Sequence, residues 1–143
     1  MEQLDSLHLE ARALGRTDYP KDFPLREVLV LARHCSGGVI LGFSQFRANG
    51  GVWKAGTASE RSTTDPVLVP TAWNQLEAGI MFGLGLPLLI FKESGVEGGV
   101  FDPGVTDVFV HSMPMGPVSK QKAGEIREVF LSWHSEVRRR YYG

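Results

Sequence analysis

Residues 70–91 have the sequence PTAWNQLEAGIMFGLGLPLLIF, which contains a helix start, a helix stop and an apolar run in close succession. Thr71 is a residue type favoured at helix N-caps, and the glycines and the proline near residue 85 favour a helix end, so we predict a helix over 71–84. The apolar run at 88–91 predicts a strand that is buried on both faces. This helix-to-strand succession is typical of a parallel sheet.

Similar elements are predicted on both sides of this stretch. Apolar residues that recur at three- and four-residue spacing predict amphipathic helices, while apolar runs and period-two alternation predict strands. The predicted helices lie at 24–35 and 119–141, and the predicted strands lie at 7–14, 39–43 and 105–110. Residues 46–66 are rich in Gly, Ser, Thr and charged residues and predict a long loop, a feature that often serves as a lid or binding loop.

Strands separated by helices predict right-handed crossovers and a mainly parallel sheet with helices on both faces. The predicted fold class is therefore α/β. Ligands of such sheets bind beyond the carboxyl ends of the strands. We therefore expect a ligand site formed by the segments that follow residues 14, 43 and 91.

The composition limits the classes of protein to which the chain can belong. Its 143 residues fit one domain, and its 15 Lys and Arg nearly balance its 16 Asp and Glu, which argues against nucleic-acid or membrane partners. Cys35 is the only cysteine, so no disulfide can form within the chain. No signal peptide or membrane span is recognisable, and we expect a soluble, cytoplasmic protein.

Glu77 is the most distinctive candidate for chemistry. At 100° per residue, it falls in the middle of an apolar helix face formed by Trp73, Leu76, Ile80, Met81 and Leu84. A carboxylate on such a face is expected to be paired, protonated or open to a ligand cavity, because burying an unpaired charge is costly. A structural carboxylate and a catalytic carboxylate both satisfy this expectation.

The segment from Gly15 to Glu77 resembles TIR (Toll/interleukin-1 receptor) domains. The resemblance rests on Asp18-Tyr19-Pro20, His34-Cys35-Ser36, the strand VILGFSQF and the sequence TAWNQLE. In the last of these, Thr71, Trp73 and Glu77 match the S-x-W-x-x-x-E pattern of that family. The matching glutamate is catalytic in those family members that cleave NAD.

The continuation EAGIMFGLGLPLLI also resembles the nucleoside 2-deoxyribosyltransferase-like group, in which a helix-borne glutamate attacks the sugar. Both groups have a flavodoxin-like three-layer sandwich and act on an N-glycosidic bond. Both also begin with a central buried strand, for which this sequence has no counterpart. The resemblance therefore implies a flavodoxin-like fold without the usual first strand. Either the chain is shortened at its N-terminus, or a neighbouring molecule or a rearranged strand fills the gap, and we expect a homo-oligomer.

The resemblance implies that Glu77 is the catalytic carboxylate and that NAD or a related nucleotide or nucleoside is the substrate, with no separate cofactor. The candidate substrate-binding residues are Gly42, Ser44, Gln45, Trp73, Asp18 and Tyr19. Gly42 would permit close approach of a ligand, and Ser44 and Gln45 would bind ribose or phosphate. Core packing by Trp73 and an ordinary turn at Asp18 and Tyr19 remain alternatives.

Three acidic residues follow the strand at 88–91, namely Glu93, Glu97 and Asp102. One of them could protonate a leaving group or bind a ribose hydroxyl, and a solvated acidic loop is the alternative. The four histidines have no metal-ligand spacing, so we expect no metal site.

Three functions are compatible with these residues. The leading hypothesis is cleavage of the N-glycosidic bond of NAD or a related nucleotide through Glu77. Base exchange of the deoxyribosyltransferase type is the enzymatic alternative. A non-catalytic module that senses a nucleotide or associates with its own kind is the third, since fold alone does not determine function.

Overall fold

The computed structural model of the chain describes residues 2–12 and 24–143. The helices are α1 (Glu2–Ser6), α2 (Pro24–Arg33), α3 (Ala72–Gly83) and α4 (Lys120–Tyr142), with a 3-10 helix at Gly99–Phe101. The strands are β1 (Gly38–Gly42), β2 (Phe46–Trp53), β3 (Arg61–Val69), β4 (Leu88–Lys92) and β5 (Val110–Ser112). The helices predicted at 24–35, 71–84 and 119–141 and the strands predicted at 39–43 and 88–91 are confirmed, each end within two residues.

Three strands form a parallel sheet in the order β1-β4-β5. Gly38 lies opposite Leu88 at one end of the β1–β4 ladder, and Gly42 lies opposite Lys92 at the other. Four consecutive residues of β4 are buried, which is the pattern of a strand covered on both faces. The predicted α/β class with a mainly parallel, flavodoxin-like sheet is confirmed.

Helices cover both faces of this sheet. On one face, Ala78 of α3 packs with Ile40, Ile90 and Phe101 in a buried cluster. On the other face, two buried residues of α4 pack against two residues of β4. These four residues are Trp133, Val137, Leu89 and Phe91. The molecule therefore has three layers, with β4 in the middle of the core.

Local capping explains where α3 begins and ends. The Thr71 hydroxyl accepts a hydrogen bond from the Asn74 N–H at 3.2 Å, as expected for an N-cap. At the other end Gly85 has a φ of +65°, and the Leu86 N–H donates to the Met81 carbonyl at 3.0 Å. This is a Schellman motif, which requires a left-handed residue after the helix and so favours glycine there.

The strand predicted at 7–14 is wrong over 7–12, and residues 13 and 14 lie outside the described ranges. α1 ends here in a second Schellman motif, because the Leu9 N–H donates to the Leu4 carbonyl at 3.1 Å and His8 has a φ of +57°. Leu4 and Leu9 both pack against the cluster on the α4 face of the sheet. The alternating apolar residues therefore belong to the end of a helix and do not form a strand.

The loop predicted at 46–66 is also wrong. β2 and β3 form an antiparallel hairpin, in which Phe46 lies opposite Val69 and Trp53 lies opposite Arg61. Every residue of β2 and β3 is exposed or half-buried, so these strands lack the apolar alternation that predicts a strand. An irregularity in the ladder between Asn49 and Gly51 interrupts the pattern further.

The strand predicted at 105–110 is displaced, because β5 begins only at Val110 and continues to Ser112. The Thr106 hydroxyl accepts a hydrogen bond from the Val108 N–H at 3.3 Å and donates to the Val108 carbonyl at 3.4 Å. A side chain that occupies neighbouring backbone groups competes with a strand ladder. The apolar residues of this segment therefore lie in turns before the strand.

β1 lies at an edge of the parallel sheet, although its sequence predicts burial on both faces. In the described part of the chain β4 is its only partner, and Leu41 is 44% exposed. No helix in residues 2–12 and 24–143 is long and apolar enough to cross a membrane.

Candidate functional site

The carboxyl ends of β1 and β4 are joined by the backbone and side chain of Glu93. The Glu93 N–H donates to the Gly42 carbonyl at 2.9 Å, which extends the ladder by one bond. The Glu93 carboxylate in turn accepts the Ser44 N–H at 2.8 Å. The structure thus brings together Ser44, a predicted site residue, and Glu93, which the sequence placed among three weaker candidates.

Gln45 and the base of the hairpin border this pair. The Gln45 N–H donates to the Val69 carbonyl at 2.9 Å, so the backbone donors of both Ser44 and Gln45 are occupied. Three apolar side chains next to them in the chain or in the β2–β3 ladder are exposed. These are Phe43 at 42%, Phe46 at 63% and Val69 at 39%, and we call them the apolar rim.

Gly42 is required by core packing. A Cβ at this position would overlap the ring of Phe101, with two ring carbons at 2.8 Å. Phe101 is fully buried, so the ring cannot move aside without disturbing the core. We predicted that a ligand would approach Gly42 closely, but the Phe101 ring fills the space next to Gly42.

Glu77 is half-buried, whereas the prediction placed it at the centre of the core-facing side of α3. The residue of α3 that faces the core is Ala78, whereas Trp73 and Leu76 of the predicted apolar face are 37% and 44% exposed. The helix is rotated in this way because the small Ala78 lets α3 approach Ile40 and Ile90 closely. Met81 of the predicted apolar face packs against the core, so only part of that face is buried.

The neighbours of Glu77 on α3 show which part of the sheet it lies beside. The Asn74 side chain donates to the Leu41 carbonyl at 3.4 Å, and the Met81 sulfur lies against Gly38. At 100° per residue, Glu77 is about 60° from Asn74 and about 40° from Met81 around the helix, and about 160° from Gln75. Glu77 therefore lies on the β1 side of α3, between the two ends of that strand.

The opposite side of α3 holds the loop that follows β4. The Gln75 side chain donates to the Gly98 carbonyl at 3.0 Å and accepts the Val100 N–H at 2.9 Å. The Asp102 carboxylate accepts the Gly98 N–H at 2.8 Å. Asp102 therefore organises the loop, and Glu97 is exposed to solvent.

Sequence reasoning missed Gln75 and Lys92 as residues that shape the site. The Lys92 ammonium group donates to the Phe101 carbonyl at 3.1 Å, which holds the 3-10 helix near the end of β4. A glutamine within an apolar helix and a lysine at the end of a buried strand were the available signals. Both residue types need polar partners when they are partly buried.

Two side chains near the sheet have shifted proton affinities. Burial raises the pKa of the Cys35 thiol, against the opposing effect of Arg12. Burial lowers the pKa of His111, and the positive charge of Lys122 lowers it further. His111 lies against Phe91, with 5.4 Å between ring centroids. Both shifts favour the neutral form, which argues against Cys35 as a thiolate nucleophile.

Two predicted site residues, Asp18 and Tyr19, lie outside the described residues 2–12 and 24–143. Within those ranges no three His, Cys, Asp or Glu side chains are grouped as a metal site would require. No family model matches the chain, and neither a curated protein nor a solved structure matches it significantly.

Proposed function

We propose that the chain is a cytoplasmic N-glycosidase of the TIR-like kind that cleaves NAD or a related nucleotide, with Glu77 as its catalytic carboxylate. The position of Glu77 carries this proposal. It is a half-buried carboxylate on the side of α3 that faces β1. It lies one helical turn from Asn74, whose side chain reaches the last residues of that strand.

The chemistry suits a carboxylate in this position. When the bond between the anomeric carbon and the nicotinamide nitrogen breaks, its electron pair leaves with the nitrogen and neutralises the positive charge of the ring. The sugar gains oxocarbenium character, which a nearby carboxylate stabilises or traps. A water oxygen then bonds to the anomeric carbon and releases a proton, which completes the hydrolysis.

The first test is a chromatographic assay of nicotinamide release from NAD. We expect release by the unmodified chain and a loss of at least about a hundredfold in Glu77→Gln, because one electrostatic group of this kind typically contributes that much. Glu128→Gln is the matched control, since Glu128 is a glutamate on an exposed position of α4. Full turnover by a folded Glu77→Gln variant would exclude Glu77 as the catalytic group.

The same assay separates hydrolysis from base exchange. A deoxynucleoside supplied with a second free base yields a new nucleoside only if the chain transfers the sugar. NAD cleavage needs no acceptor base. Formation of the exchanged nucleoside, again dependent on Glu77, would favour the deoxyribosyltransferase-like alternative.

A non-catalytic module that binds a nucleotide and associates with its own kind is the second candidate, and the edge of β1 favours it. In a parallel ladder the N–H and C=O of alternate residues point to the same side. Gly42 bonds toward β4, so Val39 and Leu41 direct their backbone groups away from it. An extended segment of a second copy would satisfy the backbone groups of Val39 and the Leu41 N–H, whereas the Leu41 carbonyl already accepts the Phe43 N–H at 3.1 Å and the Asn74 side chain at 3.4 Å.

This second candidate predicts binding without turnover. A nucleotide present at a hundred times its Kd would add about 2.7 kcal/mol to the free energy of unfolding of a single-site protein. The measurement is a thermal or urea unfolding curve with and without NAD, alongside the release assay. Stabilisation without nicotinamide release would favour this function over the enzyme.

A further inference from the structure

We propose that Glu93 is a ribose-recognition residue, so that the carboxyl end of β4 takes a ribonucleoside and discriminates against deoxyribose and against a phosphate at the same position. This inference rests on the proposed function, because it assigns the sugar-binding part of the same site. It adds a residue on a different strand from the helix that carries Glu77.

Two hydrogen bonds hold Glu93 in place, one through its backbone and one through its carboxylate. Its backbone N–H is bonded to the Gly42 carbonyl at 2.9 Å, and its Oε2 accepts the Ser44 N–H at 2.8 Å. The side chain is half-buried. Its rotamer is thus defined by a contact across two strands, which reduces the entropy that a bound ligand must overcome.

The Glu93 carboxylate has one oxygen that accepts no hydrogen bond from the described residues. Within residues 2–12 and 24–143, Oε2 is the only one of its two oxygens with a hydrogen-bonding partner, and no lysine or arginine forms an ion pair with Glu93. An ionised carboxylate accepts hydrogen bonds and donates none. Its natural partner is therefore a donor such as a sugar hydroxyl, and the resulting charge-assisted bond is strong.

The surrounding groups favour hydroxyls over a phosphate. Phosphates are bound by backbone N–H groups, but those of Ser44 and Gln45 are already bonded to Glu93 and to the Val69 carbonyl. The nearest cation along the chain, the Lys92 ammonium group, is bonded to the Phe101 carbonyl. A phosphate here would be repelled by the charge of Glu93.

The apolar rim of Phe43, Phe46 and Val69 supplies a second part of a nucleoside site. These side chains are exposed and flank Ser44 and Gln45. Small-molecule sites combine apolar surfaces with a few polar groups that fix the orientation of the ligand. A nucleoside matches this pairing, because its base is flat and its ribose carries vicinal hydroxyls.

The experiment is equilibrium binding by calorimetry with adenosine, 2′-deoxyadenosine and adenosine 2′-phosphate. Glu77→Gln serves as the background, which removes turnover. We expect adenosine to bind at least about tenfold more tightly than 2′-deoxyadenosine, since a hydrogen bond to a charged group typically contributes that much. We expect adenosine 2′-phosphate to bind more weakly than adenosine as well.

Adding Glu93→Gln should remove both differences, since its amide oxygen still accepts the Ser44 N–H but carries no charge. Glu97→Gln is the matched control, because Glu97 lies four residues away and is exposed. If Glu93→Gln unfolds, Glu93→Asp keeps the charge and shortens the side chain. It should lose the preference for adenosine over 2′-deoxyadenosine and retain the discrimination against the phosphate.

Equal binding of the three ligands, no binding of any of them, or an unchanged preference in folded Glu93→Gln would overturn the inference. Since binding and not turnover is measured, the two proposals fail separately. A chain that prefers adenosine through Glu93 but releases no nicotinamide would support ribose recognition and contradict catalysis by Glu77. Nicotinamide release with no ribose preference would do the reverse.

Discussion

At the scale of single residues, Gly42 illustrates how a core contact can resemble a ligand contact in the sequence. We expect Gly42→Ala to lower the free energy of unfolding by about 1–3 kcal/mol, because the added methyl group overpacks the core against Phe101. Urea denaturation measures this change. Gly79→Ala is the opposite control, since nothing lies within 4 Å of that position on α3 and alanine there should raise stability by about 0.5–1 kcal/mol.

An unchanged stability of Gly42→Ala, together with weakened nucleotide binding, would contradict the packing role and return Gly42 to the ligand site. Gly42 has no positive φ, so a stability loss in Gly42→Ala reports packing against Phe101 and not backbone strain. The comparison therefore separates space-filling from conformational effects.

At the scale of elements, α3 connects the two parts of the candidate site and is held at both ends. Thr71 caps its N-terminus, and the Arg140 side chain of α4 donates to the Leu84 and Gly85 carbonyls at 3.1 and 3.0 Å. We expect Thr71→Ala to lower the free energy of unfolding by about 1 kcal/mol through loss of the N-cap. Urea denaturation followed by circular dichroism measures the loss.

Thr71→Ser is the matched control for this cap, because serine keeps the hydroxyl oxygen and should retain nearly full stability. An equal loss in both variants would show that the methyl group of Thr71 and not its oxygen matters. Since Asn74 accepts the Thr71 hydroxyl hydrogen bond at 3.0 Å, loss of the cap should also loosen the contact with β1.

At the scale of the whole molecule, the strands at the edges of the two sheets differ in how they are protected. The hairpin carries Arg47 on one strand and Asp65-Pro66 on the other, and β5 has only three residues. Charges, proline and short length are the usual means by which proteins prevent edge pairing. β1 has five residues and neither charge nor proline, which favours pairing with a further strand.

We expect the chain to self-associate through this edge and Leu41→Lys to raise the dissociation constant at least about tenfold, since a lysine on an edge strand opposes pairing. Sedimentation velocity over a range of concentrations measures the constant. Val52→Lys on the hairpin is the control, because Val52 is 54% exposed and lies away from β1. A monomer at every concentration, or an equal effect of both variants, would exclude β1 as the interface.

Much of the fold follows from the local sequence. Helices α2, α3 and α4 and strands β1 and β4 were predictable because each depends on short-range signals. These signals are apolar spacing, an N-cap at Thr71 and a glycine at a helix end. The expected three-layer α/β arrangement followed from their alternation. The hairpin was not predictable, because its exposed strands lack an apolar pattern. The bounds of β5 were not predictable either, because hydrogen bonds of the Thr106 side chain hold the residues before Val110 in turns.

The sequence alone therefore determined the order and type of most elements and identified Glu77 as a carboxylate of interest. Only the tertiary structure decided how α3 is rotated, because the side that faces the sheet depends on how closely Ala78 can approach it. It also decided that Ser44 and Glu93, 49 residues apart, share a hydrogen bond. Helix formation depends on neighbours in the chain, whereas helix rotation and contacts between strand ends depend on residues that only folding brings together.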